Sequence, residues 1–188
     1  MNFYFWPHME INSKVLGTLV QNQEMADWWH SAPIQVSLVD QELAVTLIDF
    51  NPKKDDQFMA DTEAAMQNFL SLQVFDKLKM APHIFANFVE ICSYLNEDDI
   101  PKNMQVAQPL SIWNFVHPTA IYASRRQSND KDIYIVLACE CDWEKEHGLQ
   151  LVFRQGKKLT RVSDQDGHLT RSDAFDLPDS EDELLSAF

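Results

Sequence analysis

The sequence predicts an α+β fold, with an N-terminal β-hairpin and two helices packed on a C-terminal antiparallel sheet of about four strands. Three observations predict it. Ile34-Gln35-Val36-Ser37-Leu38 alternates apolar and polar residues at period two, the mark of a half-buried strand. Phe58, Thr62, Ala65, Met66 and Phe69 then recur at helical spacing. Further on the period returns to two, with Leu149, Leu151 and Phe153 alternating with Gln150 and Arg154.

Each element has a local reason. Residues 14–20 carry Val15, Leu16, Leu19 and Val20 and read as a strand; residues 25–30, with Trp28-Trp29, read as a short helix or turn before Pro33. Residues 34–38 and 43–50 make the hairpin, turned by Asp40-Gln41 and ended by Asn51-Pro52. Asp55 or Asp56 is expected to cap the first helix, because a short carboxylate satisfies the free N–H groups of the first turn. The second helix is expected to begin at Pro82, whose missing N–H costs nothing there, and to bury Ile84, Phe85, Phe88, Ile91, Cys92 and Leu95. Residues 97–109, with Pro101 and Pro109, read as a loop, and residues 110–116 as a short helix ending before Pro118. Strands at 119–124, 132–139, 149–154 and 158–162 complete a meander. Residues 133–138 are apolar on both faces, so that strand is central. Gln155-Gly156 and Asp166-Gly167 are turns.

Composition narrows the function classes. A chain of 188 residues fits a single domain, taken as residues 1–172, followed by an acidic segment, residues 173–188, expected to be mobile. Leu184, Leu185 and Phe188 leave a short docking helix open within it. The net charge of −14 is uneven: residues 1–100 hold 5 basic and 15 acidic side chains, and residues 173–188 hold 6 acidic and none basic. A field of this sign repels nucleic-acid backbones and anionic lipid, and favours solubility and cationic partners. Four glycines and no phosphate-loop pattern give no cradle for a nucleotide, so no cofactor is expected. Three cysteines, an odd number, indicate free thiols in a reducing compartment. Residues 1–10 lack the basic start of a signal peptide, and no apolar run approaches the ~18 residues of a membrane span, so a cytoplasmic location is expected.

Residues 139–148 concentrate the chemistry: Cys139, Cys141, Glu144, Glu146 and His147 around Trp143. A metal reading uses Cys139, Cys141 and His147 with a carboxylate as fourth ligand, although C-x-C is tighter than the usual knuckle spacing. The competing reading is a buried strand that ends in two small apolar thiols. An acid/base reading pairs Glu144 and Glu146 with His147, against a plain hairpin loop in which Gly148 supplies a positive φ. No nucleophile motif accompanies the trio. Trp143 and Trp113 are candidates to line a pocket, or core anchors. His168 follows Asp164-Gln165-Asp166-Gly167, which begins like a calcium loop but would put Phe175 where that loop needs its Glu. The basic set Arg125, Arg126, Lys131, Arg154, Lys157, Lys158 and Arg161 forms solvated faces or pairs with the acidic C-terminal segment.

The run Cys141-Asp142-Trp143-Glu144-Lys145-Glu146-His147-Gly148-Leu149 precedes the basic strand Lys157-Lys158-Leu159-Thr160-Arg161. Together with Trp28-Trp29, Asp49-Phe50 and Ile112-Trp113-Asn114-Phe115-Val116-His117-Pro118, it resembles a bacterial domain family of unknown function with a C-x-W-x-x-E-H-G-L signature. The resemblance covers roughly residues 28–170. Related domains occur beside polymorphic toxins and are suspected immunity proteins. The resemblance therefore implies a non-catalytic protein-binding module that blocks a cationic toxin, and it carries over no catalytic residue. Two alternatives stand beside it: a metal-dependent or acid/base enzyme centred on residues 139–147, and a structural or housekeeping domain. The candidate site comprises Trp113, Trp143, Glu144, Glu146, His147 and His168.

Overall fold

The computed structural model describes residues 9–94, 104, 106 and 108–186; Leu95 and most of the loop expected at 97–109 lie outside them. The described chain runs β1 (Glu10–Ser13), β2 (Gly17–Gln21), β3 (Trp29–Ser31), β4 (Ile34–Val36), β5 (Gln41–Leu43), β6 (Val45–Leu47), α1 (Phe58–Leu70), α2 (Lys77–Tyr94), β7 (Val116–Arg125), β8 (Ile133–Cys141), β9 (Leu149–Arg154), β10 (Lys158–Ser163), α3 (Arg171–Phe175) and α4 (Glu183–Ser186). The fold is α+β, with a mostly antiparallel sheet of eight strands in the order β1-β2-β3-β6-β7-β8-β9-β10. The sheet is thus twice as wide as the four strands expected. The four C-terminal strands are the expected meander; the other four come from the N-terminal half, where short, partly exposed strands carry little apolar alternation.

The expected hairpin is split. Ile34–Val36 pairs with Gln41–Leu43 in a separate two-stranded ribbon, whose turn holds Asp40 at φ 55°. Val45–Leu47 instead crosses to the large sheet, antiparallel to β3 and parallel to β7. Residues 25–30 do not form a helix: Trp29 and His30 belong to β3, where the fully buried indole donates to the Phe50 carbonyl at 3.2 Å.

The α1 stripe packs as predicted and the α2 stripe only in part: Ile84 is buried, Phe85, Phe88, Ile91 and Cys92 are half-buried, and Met80 and Ala81 are buried ahead of the expected start. On α1, Phe58, Thr62, Ala65, Met66 and Phe69 are all buried. Its N-cap is Gln57, without a side-chain bond, rather than Asp55 or Asp56; Asp55 is drawn off by Arg125 at 2.6 Å. Helix α2 starts at Lys77, five residues ahead of Pro82. Its lead-in is a single 3-10 turn, Val74–Asp76, in which the Asp76 carboxylate accepts the Gln73 N–H at 3.0 Å. That cap lets the helix nucleate early, and the proline removes only one donor near its beginning. Residues 109–115 form a 3-10 helix against α2, and the Trp113 indole donates to the Lys77 carbonyl at 3.2 Å.

Strand β8 lies between β7 and β9, central as expected. Ile133, Ile135, Leu137, Cys139 and Cys141 join the main core with α1 and α2. Tyr134 and Val136 face the other way and pack with Tyr122, Val152 and Leu169. The β9–β10 turn presses onto α1 so closely that a Cβ on Gly156 would overlap the Ala65 carbonyl oxygen. No helix among the described residues is long and apolar enough to cross a membrane.

The acidic C-terminal segment is folded against the sheet through Ser186. Leu185 is buried, and Asp182 accepts the N–H groups of Arg171, Ser172 and Leu185.

Candidate functional site

Strand β8 delivers its last two inward residues, Cys139 and Cys141, into the core. Burial pushes the Cys139 thiol far above its ordinary value, and it pushes the Cys141 thiol up to about 11. The Cys141 thiol donates to the Glu144 carbonyl at 3.3 Å. Both thiols are therefore protonated as they stand, which leaves no ready nucleophile. Trp143 is likewise buried; its indole N–H donates to Asn87 of α2 at 3.2 Å, and its ring meets Phe88 edge-on. The indole pins the loop to the helix.

The following residues build the turn. The Glu144 carboxylate accepts the N–H groups of Glu146 at 2.8 Å and His147 at 3.2 Å, and lies 3.6 Å from the His147 ring. Burial pushes this carboxyl up, but those N–H groups and the imidazole outweigh it and hold it below its ordinary value. Gly148, at φ +66°, is required twice over. Its conformation is left-handed, and a Cβ there would sit 2.7 Å from the Cys139 carbonyl oxygen and 2.6 Å from Gln165 Nε2. Gln165, from the loop after β10, clamps the turn by donating to the Cys139 carbonyl through its amide at 2.9 Å and to the His147 carbonyl through its N–H at 3.3 Å.

The six candidate residues do not converge. Glu144 and His147 meet, Trp143 lies beneath them, and Glu146 is exposed. The His168 ring is also exposed; what its residue contributes is a backbone carbonyl that accepts from Gln150 at 3.0 Å and Arg161 at 2.7 Å. Trp113 packs at Lys77 and Trp143 at Asn87, ten residues and about 15 Å apart along α2. Among the described residues, no group of three or more His, Cys, Asp or Glu side chains is placed to hold a metal ion.

Two features lay beyond the sequence reading of single segments. One is the Arg126 centre. Its guanidinium, 2% exposed, donates to Asp173 at 2.7 and 2.8 Å, to Asp179 at 2.7 and 2.9 Å, to Asp130 at 3.1 Å and to Ser172 at 3.2 Å. The Arg126 bonds hold the Asp179 carboxyl down at about 2. Tyr134 donates to Asp130 at 2.7 Å, and burial together with that bond raises its phenol well above its ordinary value. The pairing of basic strand ends with the acidic segment, one of two options left open by the composition, is realised here. Its signal in the sequence is an uncompensated acidic C-terminus.

The other feature is a groove of about 530 Å³ between α2, β10 and the C-terminal helices. Helix α2 contributes His83, Asn87, Glu90 and Ile91, and β10 contributes a continuous run from Thr160 to Ser163. Arg171, Phe175 and Glu183 lie on the far wall. Asn87 belongs both to this wall and to the Trp143 anchor, so the loop at 139–148 sets the position of the groove.

A family model spans residues 15–169, most of the chain. The chain belongs to the family described as Domain of unknown function (DUF6985). The DUF6985 match takes in β2 through β10 and stops before α3 and α4. Arg126 lies inside the DUF6985 region, whereas Asp173 and Asp179 lie beyond it. No curated protein and no solved structure gives a significant match to this DUF6985 chain.

Proposed function

We propose that this chain is a non-catalytic, cytoplasmic protein-binding module of the bacterial immunity type, which neutralises a cationic toxin. One observation carries the reading: most of the reactive groups of residues 139–148 are tied into the fold, with Glu146 and the His147 ring left at the surface. Two thiols are buried and protonated, one carboxylate is bound to the turn it closes, and the indole is anchored on α2. Chemistry that serves shape leaves function to the surface. That surface belongs to a chain of net charge −14, and it exposes Val74, Phe75 and Leu78 together at the start of α2. Acidic charge speeds encounter with a cationic partner, and exposed apolar side chains supply area to bury. The C-x-W-x-x-E-H-G-L resemblance adds the immunity role.

The test is co-expression with the product of the adjacent gene. Titration calorimetry at 50 and 500 mM salt should give a complex that weakens with salt, and the chain should rescue growth of cells making that product. If the neighbour neither binds nor is neutralised, the reading fails.

A further inference from the structure

We infer that the outer edge of β10 is a docking strand, to which a Lys/Arg-rich segment of the partner adds as a further strand of the sheet, lying in the groove between α2 and the C-terminal helices. The inference rests on the protein-binding reading and assigns it a place.

Hydrogen-bond phase carries the argument. Gln155 donates to the Ile133 carbonyl at 2.7 Å, which puts residues 133 and 155 at a hydrogen-bonded position of the β8–β9 ladder. In an antiparallel pair, bonded and non-bonded positions alternate. Residues 149, 151 and 153 of β9 therefore turn their backbone groups toward β8, and residues 150 and 152 turn theirs toward β10. The register pairs Val152 with Arg161 and Gln150 with Ser163, so those two residues of β10 face β9. Val162, between them, points its N–H and C=O away from the sheet. Strand β10 is the last of the eight, and Thr160 to Ser163 line the groove. Among the described residues no strand covers this edge.

An unpaired edge invites pairing, and natural edges are commonly blocked by a bulge, by charge or by a covering helix; α4 lies beside β10, and the groove between it and α2 is the opening that remains. A bulge does interrupt β10, between Leu159 and Arg161, but it lies ahead of Val162 and leaves the run to Ser163 regular. The Arg161 guanidinium is held by Asp166 at 2.5 Å, which neutralises its charge at the groove wall. Strand addition draws affinity from main-chain bonds and selectivity from alternate side chains. Both are provided for here. Ile91, Val162 and Leu184 are half-buried and line the groove with an apolar strip, and Phe175 stands 64% exposed at its wall. Charge identifies the occupant: five carboxylates line the groove against two guanidiniums. Asp166 and Asp182 are occupied by internal bonds, which leaves Glu90, Asp164 and Glu183 as the acidic side chains to meet lysines or arginines.

The test uses the full chain and a fluorescein-labelled ten-residue peptide of alternating Lys and Val. Its control has the same sequence with every residue N-methylated, which keeps the charge and leaves neither edge an N–H to pair. Anisotropy at 50 mM salt should show the plain peptide binding at least ten-fold tighter, and the Val162 amide should gain protection from hydrogen exchange. Val162→Pro removes the outward N–H, a change tolerated at edges, together with the valine side chain, so Val162→Ala, which keeps the N–H, is its control: the proline variant should reduce binding to the level of the N-methylated peptide and the alanine variant should not. If the proline variant does not fold, the double variant Glu90→Lys, Glu183→Lys should weaken binding at least ten-fold. Equal binding of the two peptides, no binding of either, an unprotected Val162 amide or unchanged binding by folded Val162→Pro overturns the inference. A toxin that binds wild type and Val162→Pro equally removes the docking strand and leaves the protein-binding reading standing. A paired peptide with no toxin partner does the reverse.

Discussion

Replacing Arg126 with methionine keeps the side-chain volume and removes the cation on which Asp130, Asp173 and Asp179 converge. Breaking a buried ion pair from one side costs about 3–5 kcal/mol, because the other charge is left behind. The carboxylates here are 13%, 23% and 35% exposed and recover some hydration, so the low end, about 3 kcal/mol, applies. The Asp179 carboxyl gives a check: held at about 2 against an ordinary 3.8, it corresponds to about 2.4 kcal/mol, reduced to about 1 by the third of its side chain that remains in water. The bonds to Asp173, Asp130 and Ser172 supply the remainder. At this chain length the loss lowers Tm by roughly 6–12 °C. A carboxyl held down in the folded state stabilises fully above its ordinary value and loses that contribution as pH falls through its folded value. Wild type should therefore weaken from about pH 4 toward pH 2 more steeply than Arg126→Met. Urea unfolding at pH 7 and across pH 2–5, with proteolysis at the C-terminal segment, measures both. A variant within about 1 kcal/mol of wild type and with the same acid limb would refute the reasoning.

The glycines should rank by what a Cβ would meet. Gly156→Ala should abolish soluble folded protein, Gly148→Ala should cost at least about 2 kcal/mol, and Gly17→Ala, with open space around it, about 1 kcal/mol, all read by circular dichroism and urea melts. Trp143→Phe should cost about 1–2 kcal/mol by losing the bond to Asn87, and Asn87→Ala should cost no less, since it leaves the buried indole N–H unpaired. With a thiol reagent at pH 8, Cys139 and Cys141 should stay unmodified until the chain unfolds, while half-buried Cys92, whose thiol burial also pushes up, reacts first. Rapid modification of Cys141 in the folded protein would contradict the closed geometry of the loop.

Elements with a clean period were legible. The α1 stripe is visible because five apolar or small residues fall on one face, and β8 because its six-residue apolar run can only be buried on both sides. Strand β2 was legible within the strand read at 14–20, but β1 and β3 were not, since three or four residues give no period to count. The parallel register of β6 on β7 is a tertiary choice that local pattern does not encode. Asp55 shows the same limit: it has the chemistry of a helix cap, yet a guanidinium 70 residues away claims it. At the site, Gly148 was readable as a positive-φ position because glycine after a short polar loop has few other reasons to be there. The Arg126 centre was readable only as a charge imbalance, its partners lying 47 and 53 residues downstream.

The single parallel seam between β6 and β7 has a kinetic consequence. Only Val45–Ile121, Thr46–Tyr122 and Leu47–Ala123 join the two antiparallel halves of the sheet, across 76 residues of chain. The C-terminal half is a meander of sequence neighbours, so its contacts close short loops and form early; the seam closes a long one and forms late. Weakening the seam should leave the folding rate nearly unchanged and speed unfolding. The N-terminal half would then detach first when the protein is pulled or heated, exposing the fresh sheet edge of β7.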